Sequence, residues 1–203
     1  LPLRREPATE LGSDLELLAG TLGEWVAAGG SLLAVADVDA AVGAERAGAP
    51  LPSEVLGDLL VLSRAPQVRA AVVSGEGLSA LQRVVPFETI VRIGLDGREV
   101  DGRGLALSTQ DTPAAGWDRG HAVLWVLGQL ASGLGRPIKT LYLGGAAVDE
   151  PAFATLAGRA ATVRVGSPGP SRANFRLDTI VQGRRLLGAL ARAALARPPA
   201  PTR

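Results

Sequence analysis

Leu32-Leu33-Ala34-Val35-Ala36-Asp37-Val38-Asp39 is an apolar run that ends in two carboxylates two residues apart. Its nearly continuous apolar character predicts a parallel strand covered on both faces, since half-solvated strands alternate with polar residues instead. Side chains alternate along a strand, so this reading puts Asp37 and Asp39 on one face at its C-terminal end, where a cation or phosphoryl group meets both. In open parallel sheets that end is where ligands bind.

Working outward from this strand, Gly12 to Ala28 reads as a helix, with Ser13 as N-cap and Leu15, Leu18, Leu22 and Trp25 forming an apolar stripe; Gly29-Gly30 ends it. After a loop rich in Gly, Ala and Pro, Ser53 is expected to cap a helix over Glu54 to Arg64. Val68 to Ser74 predicts a strand ending in Ser-Gly, and Leu78 to Val84 a short helix. Strand and helix alternate, which predicts right-handed βαβ units on a parallel sheet. Thr89 to Leu95 then reads as a strand. Turn signals at Asp96-Gly97 and Asp101-Gly102-Arg103-Gly104 flank Arg98-Glu99-Val100 and lead to Leu105-Ala106-Leu107-Ser108, which predicts an appended antiparallel hairpin. Further on, helices are expected over Asp118 to Ser132, Pro151 to Leu156 and Thr179 to Arg197. Strands are expected over Thr140 to Gly144, Thr162 to Val165 and Phe175 to Leu177.

The 203 residues, 47% hydrophobic and 20% charged, suit one domain over residues 1–197 with a flexible tail at 198–203. A net charge of +1 with interspersed signs carries no electrostatic footprint of a nucleic-acid binder. The absence of cysteine excludes disulfides, thiolate metal sites and a cysteine nucleophile. No apolar run approaches the roughly 18 residues of a membrane span, and Leu-Pro-Leu-Arg-Arg-Glu is no signal peptide, so the expected location is cytoplasmic. Lys139 is the only lysine, which leaves a catalytic lysine almost nowhere to be.

Read in order, the predicted strand ends carry Asp37-Val38-Asp39, then Ser74-Gly75, then Asp118-Arg119-Gly120, then Gly144-Gly145-Ala146-Ala147-Val148-Asp149-Glu150-Pro151-Ala152-Phe153. This order and spacing resembles the trehalose-6-phosphate phosphatases, a branch of the haloacid dehalogenase superfamily. There the segments typically read Asp-Tyr-Asp-Gly-Thr-Leu, Val-Ser-Gly-Arg, Asp-Lys-Gly and Gly-Asp-Asp-x-Thr-Asp-Glu-Asp-Ala-Phe. Ser171-Arg172-Ala173-Asn174-Phe175-Arg176-Leu177 and the helix after it are similar to the family's closing strand and helix. The resemblance implies an α/β fold: a three-layer, Rossmann-like haloacid dehalogenase core with a mainly parallel sheet, here with a small antiparallel hairpin in place of the cap domain.

It also implies roles. Asp37 would attack phosphorus to form an aspartyl-phosphate, and Asp39 would protonate the leaving oxygen and later activate water. Ser74 would hydrogen-bond a phosphate oxygen, and Arg119 stands where the family has a charge-balancing lysine. Magnesium would be held by the Asp37 side chain, the Asp39 carbonyl and Asp149. Each residue also has a plainer reading. Asp37 and Asp39 can simply accept backbone N–H bonds, Ser74-Gly75-Glu76-Gly77 can be a turn, Asp118 an N-cap, and Asp149-Glu150 a helix start. His121 reads as solvated, and Trp117 and Trp125 as core or hairpin packing.

Departures from the family pattern all point one way. Ala40-Ala41 replace Gly-Thr, removing the glycine suited to a sharp turn. Arg119 keeps a charge but not a compact ammonium. Gly145 and Ala146 replace paired aspartates, so magnesium binding is expected to be weak or absent. The hairpin stands where a sugar-covering cap is inserted. The expectation is a degenerate, trehalose-phosphatase-like protein, catalytically impaired, with a binding, regulatory or assembly role and a homo-oligomer or protein partner over the capless face. No nucleic-acid or membrane partner is expected. The alternative is an active Mg-dependent phosphatase acting on trehalose 6-phosphate or a larger phosphorylated substrate.

Overall fold

The computed structural model describes residues 13–43, 50–112, 115–134, 137–166 and 168–196. The opening hexapeptide, residues 44–49 of the loop after the first strand and the 198–203 tail lie outside the described residues. Ser31–Asp37 forms the central strand β1, buried along its whole length as its composition requires. The other strands are β2 (Val68–Val73), β3 (Val91–Gly94), β4 (Glu99–Gly102), β5 (Leu105–Leu107), β6 (Ile138–Gly144), β7 (Ala161–Val165) and β8 (Phe175–Leu177). They make one sheet in the order β5-β4-β3-β2-β1-β6-β7-β8. From β3 to β8 every pairing is parallel; β3-β4 and β4-β5 are antiparallel. The expected hairpin is therefore present, with Gly102 opposite Leu105 at its tip.

The helices are α1 (Ser13–Ala27), α2 (Ser53–Arg64), α3 (Leu78–Val84), α4 (Arg119–Leu134), α5 (Glu150–Thr155) and α6 (Ile180–Leu195). Alternation along β1 splits the interior. Leu32, Ala34 and Ala36 face a core shared with Leu18 and Leu22 of α1, Leu59 of α2, Leu81 of α3 and Leu186 and Leu190 of α6. Leu33 and Val35 face a second core with Val123 and Val126 of α4, Phe153 of α5 and Tyr142 of β6. The result is the three-layer α/β architecture that the alternation predicts. Thr179 caps α6 with a reciprocal box: its Oγ1 accepts from the Gln182 N–H, and Gln182 Oε1 accepts from the Thr179 N–H. No described helix is long and apolar enough to cross a membrane.

Some local expectations shift. Ser53 does not cap α2; Pro52 stands at the cap position without a side-chain bond, and Ser53 is already helical. Strand β1 stops at Asp37, because the Ala41 and Val42 N–H groups both fold back onto the Asp37 carbonyl. Asp39 therefore belongs to a turn, and the strand period does not govern its direction. That turn forms with no left-handed residue at Ala40 or Ala41, so it needs no glycine there.

Candidate functional site

The order in which strands are added reverses at β1: β2 and β3 lie on one side of it, β6 to β8 on the other. The C-terminal ends of β1 and β6 thus flank a topological switch point, where such sheets leave a crevice. All of the expected site residues lie there, but they divide into a buried group and a rim.

The buried group centres on Arg119, the first residue of α4, whose side chain is only 3% exposed. Its Nη1 donates to Asp37 Oδ2 at 2.8 Å and to Asp149 Oδ1 at 2.9 Å. Both carboxylates are buried. Asp37 continues the Leu33-Val35 face of β1, which points it at α4. Its Oδ1 accepts the backbone N–H groups of Asp39 (2.6 Å) and Ala40 (3.0 Å), so the plainer reading of this carboxylate also holds. Asp149 closes a 3-10 turn, Ala147–Asp149. Its Oδ2 accepts the Gly145 and Ala146 N–H groups, and Oδ1 also accepts the Tyr142 hydroxyl at 2.6 Å.

A third carboxylate clamps Arg119 from outside. Asp96 Oδ1 accepts from Nε at 3.0 Å and lies 2.8 Å from Nη2. Asp96 sits in a 3-10 turn, Leu95–Gly97, where it and Leu95 both hold left-handed backbones (φ 54° and 48°). Non-glycine residues rarely adopt this conformation, and each is strained by about 1–3 kcal/mol. Trp117 Nε1 donates to the Gly97 carbonyl and ties the same turn to the start of α4.

The rim is simpler. Asp39 is exposed, and its Oδ2 accepts from Ser74 Oγ at 2.7 Å and from the Gly75 N–H at 3.2 Å. Glu76 and Asp96 are exposed too, and their N–H groups donate to the Ser74 hydroxyl and carbonyl. Asp118 is an N-cap, accepting the His121 N–H on Oδ1, and His121 is half-exposed and stacked on Trp117.

The electrostatics follow from the charge count. Two buried carboxylates and one half-exposed one surround a single guanidinium. Burial, and next the Asp149 charge, push Asp37 up to about 7, against the opposing pull of Arg119 and the Ala40 N–H. For Arg119, burial works against the charge, but Asp37 and Asp149 outweigh it and the guanidinium pKa is raised. Burial, then the Asp149 charge, raise the Tyr142 phenol as well, so it stays a donor. Tyr142 and Asp96 are the members of this group that sequence reasoning missed. Asp96 was visible only as a turn signal, and Tyr142 only as a polar tip inside an apolar strand, which must find a partner when buried.

The donor set does not fit magnesium. Asp37 Oδ2 and Asp149 Oδ1, the oxygens that converge, converge on Nη1 of Arg119, and a guanidinium there leaves no place for a second cation. Among the described residues, no group of three or more His, Asp or Glu side chains is placed to hold a metal. Nor has Gly145 kept room for the aspartate expected from the resemblance: a Cβ there would lie 2.3 Å from the Ala40 carbonyl oxygen. The two loops have closed on each other.

No family model matches the chain, and no curated protein matches it in sequence. Solved structures do match it in shape. Aspergillus fumigatus trehalose-6-phosphate phosphatase superposes with a TM-score of 0.67 at 14% identity, covering 91% of this chain and 100% of that one. The chain has the trehalose-6-phosphate phosphatase fold. The C-terminal domain of the C. albicans enzyme agrees (TM-score 0.66, 15% identity, 92% and 99% covered). So does the C-terminal domain of the Candida albicans trehalose synthase regulatory protein (0.59, 13%, 85% and 97%). At these identities the likeness extends to the fold and not to the activity, and the trehalose-phosphatase core is thus a scaffold whose site must be judged on its own geometry.

Proposed function

We propose that this protein is a trehalose-phosphatase-like chain impaired in phosphoryl transfer, which uses the retained fold for binding, regulation or assembly. The observation that carries this reading is the Arg119 bridge between Asp37 and Asp149. An aspartate nucleophile must present an oxygen lone pair to phosphorus. Here Oδ2 faces the guanidinium, Oδ1 takes two backbone N–H groups, and the residue is fully buried. Freeing it means breaking charge-assisted bonds in a dry site. The rim adds to this, because exposed Asp39, Glu76 and Asp96 repel a phosphate dianion. Asp39 and Ser74, which the resemblance assigns to proton transfer and phosphate binding, are bonded to each other.

The β4-β5 hairpin replaces the sugar-covering cap in this reading, which leaves the crevice open and gives a partner or second copy a face to cover. A regulatory role is in keeping with one structure that shares the fold, the C-terminal domain of the Candida albicans trehalose synthase regulatory protein.

The test is phosphate release from trehalose 6-phosphate and from an aryl phosphate, with and without magnesium, in the wild type and Asp37→Asn. Release that is absent, or equal in both proteins, is the expected result. Magnesium-dependent release abolished by Asp37→Asn overturns the reading in favour of an active phosphatase.

A further inference from the structure

Helix α4 is set apart by what its surface lacks. Every other described helix carries at least one charged residue that solvent reaches: Glu24 in α1, Arg64 in α2, Arg83 in α3, Glu150 in α5 and Arg185 in α6. In α4 the one charged residue, Arg119, is turned inward and buried, so the outer side of the helix is neutral along its length. We propose that this face docks a second copy of the chain, as an antiparallel helix pair about a two-fold axis. The inference goes beyond the impaired-site reading and does not rest on it, and its test reads association and not turnover.

The face has a shape as well as a neutral surface. At about 100° per residue, His121, Leu124, Trp125, Gly128, Ala131 and Ser132 share one stripe, and solvent reaches each of them. Leu124 and Trp125 are the large members, and both also brace the core behind them. One turn on, the small residues make a notch: a Cβ at Gly128 would meet nothing within 4 Å, and the Ser132 hydroxyl turns back to donate to the Gly128 carbonyl at 2.8 Å. Gly120 of the same helix differs, because a Cβ there would lie 2.8 Å from Thr155 Cβ and close packing on α5 requires the glycine. Nothing within the described chain requires a glycine at 128, where it weakens the helix relative to any ordinary helix former. A two-fold axis passing between residues 125 and 128 lays the Leu124-Trp125 step of each copy in the notch of the other. That is the reciprocal matching an isologous interface needs.

Neutrality also selects the partner. A helix lying on a membrane surface, or one facing nucleic acid, carries Lys or Arg on its polar side, and α4 has none there. Across a two-fold axis a charged stripe would repel its own copy; this stripe does not, and the net charge of +1 adds little repulsion. Area sets the strength. A helix of this length is about 24 Å long and about 10–12 Å wide, roughly 250–300 Å² in projection, well short of the roughly 800 Å² per partner of a standard interface. The pair is therefore a transient dimer, with a dissociation constant on the order of 10–100 µM.

The experiment is sedimentation velocity of the full chain from about 5 to about 500 µM, a range that brackets this constant. The wild type, Gly128→Glu, Gly128→Lys and an equimolar mixture of the two variants are compared. Both substitutions point into open space and replace glycine by a better helix former, so their thermal melts are expected to lie no lower than the wild type's. The wild type is expected to pass from monomer to dimer. Each variant alone is expected to stay monomeric, because like charges meet near the axis. The mixture is expected to dimerise again, because opposite charges then meet there.

A wild type that stays monomeric throughout overturns the proposal, as does assembly beyond a dimer. So does self-association of both variants at wild-type strength, which would place the contact on another face, or a mixture no more associated than its components. Phosphate release has no bearing on any of these results, so the impaired-site reading stands or falls separately.

Discussion

Arg92 and Arg119 are equally buried, with side chains 4% and 3% exposed, yet they sit in opposite electrostatic surroundings. Arg92, in β3, meets one carboxylate, Asp101 of β4, whose side chain is 44% exposed and still hydrated; it also donates to the neutral carbonyl of Val85. Its charge is balanced and its partner is half in water. Arg119 meets three carboxylates, and two of those are dry. Burying an arginine is thus common to both, and the difference lies in where the surplus negative charge goes. At Arg92 there is none. At Arg119 it falls on the buried pair, so one arginine is a strut between strands and the other neutralises a would-be active site.

The largest expected consequence is in stability. Arg119→Ala leaves two buried carboxylates uncompensated, a loss of about 3–5 kcal/mol by the measure of broken buried ion pairs. Arg92→Ala leaves a hydrated carboxylate and a carbonyl acceptor short of a partner, which costs about 1–3 kcal/mol. Urea denaturation near neutral pH orders the two. Equal losses would erase the distinction drawn between them.

Next in size is the pH dependence. Asp37 has its pKa raised from 3.8 to about 7, so the folded state keeps a proton that the unfolded chain has already released in that window. The folded state then binds more protons than the unfolded one, and stability falls as pH rises from about 4 to about 7. The slope should amount to about 1–4 kcal/mol across the window, the upper figure being the full shift at 1.36 kcal/mol per pH unit. Asp37→Asn removes this slope. Asp101→Asn, on the balanced arginine, leaves it in place. Denaturation midpoints measured at intervals through the window would show it; a flat profile would mean that Asp37 ionises as freely as in the unfolded chain, and a slope of the opposite sign that Arg119 outweighs its burial.

The fold was legible where local and tertiary forces agree. The two faces of β1, the alternation of strand and helix, and the β8 and α3 spans follow from side-chain period and turn residues alone. Boundaries moved where hydrogen bonding outside the local pattern intervened: Pro52 took the cap from Ser53, and the carbonyl of Asp37 drew back the chain before Asp39. In the site, the types and order of Asp37, Ser74, Arg119 and Asp149 located the crevice. Which of them touch was not legible, because it depends on the register that sets Tyr142 beside Asp149 and on the turn that brings Asp96 to Arg119. The planar fork of arginine, read as a poor substitute for an ammonium, is what allows one side chain to hold Asp37, Asp149 and Asp96 together.

The smallest expected effect is at the rim and sharpens the contrast furthest. Asp39 is two residues from Asp37 and carries the same group, but it is exposed, and its partners are a serine hydroxyl and a backbone N–H in place of a second buried charge. Neutralising it removes no desolvated charge. Asp39→Asn should therefore change stability by less than about 0.5–1 kcal/mol, the range of a solvent-reachable hydrogen bond, and leave the fall between pH 4 and pH 7 intact. Ser74→Ala, which removes the same bond from its other end, should do likewise. If Asp39→Asn flattened the profile as fully as Asp37→Asn, the surplus charge would have to be shared between rim and interior. The two carboxylates would then act as one coupled pair, contrary to their separate environments: Asp37 is sealed under Arg119, and Asp39 stays available at the mouth of the crevice.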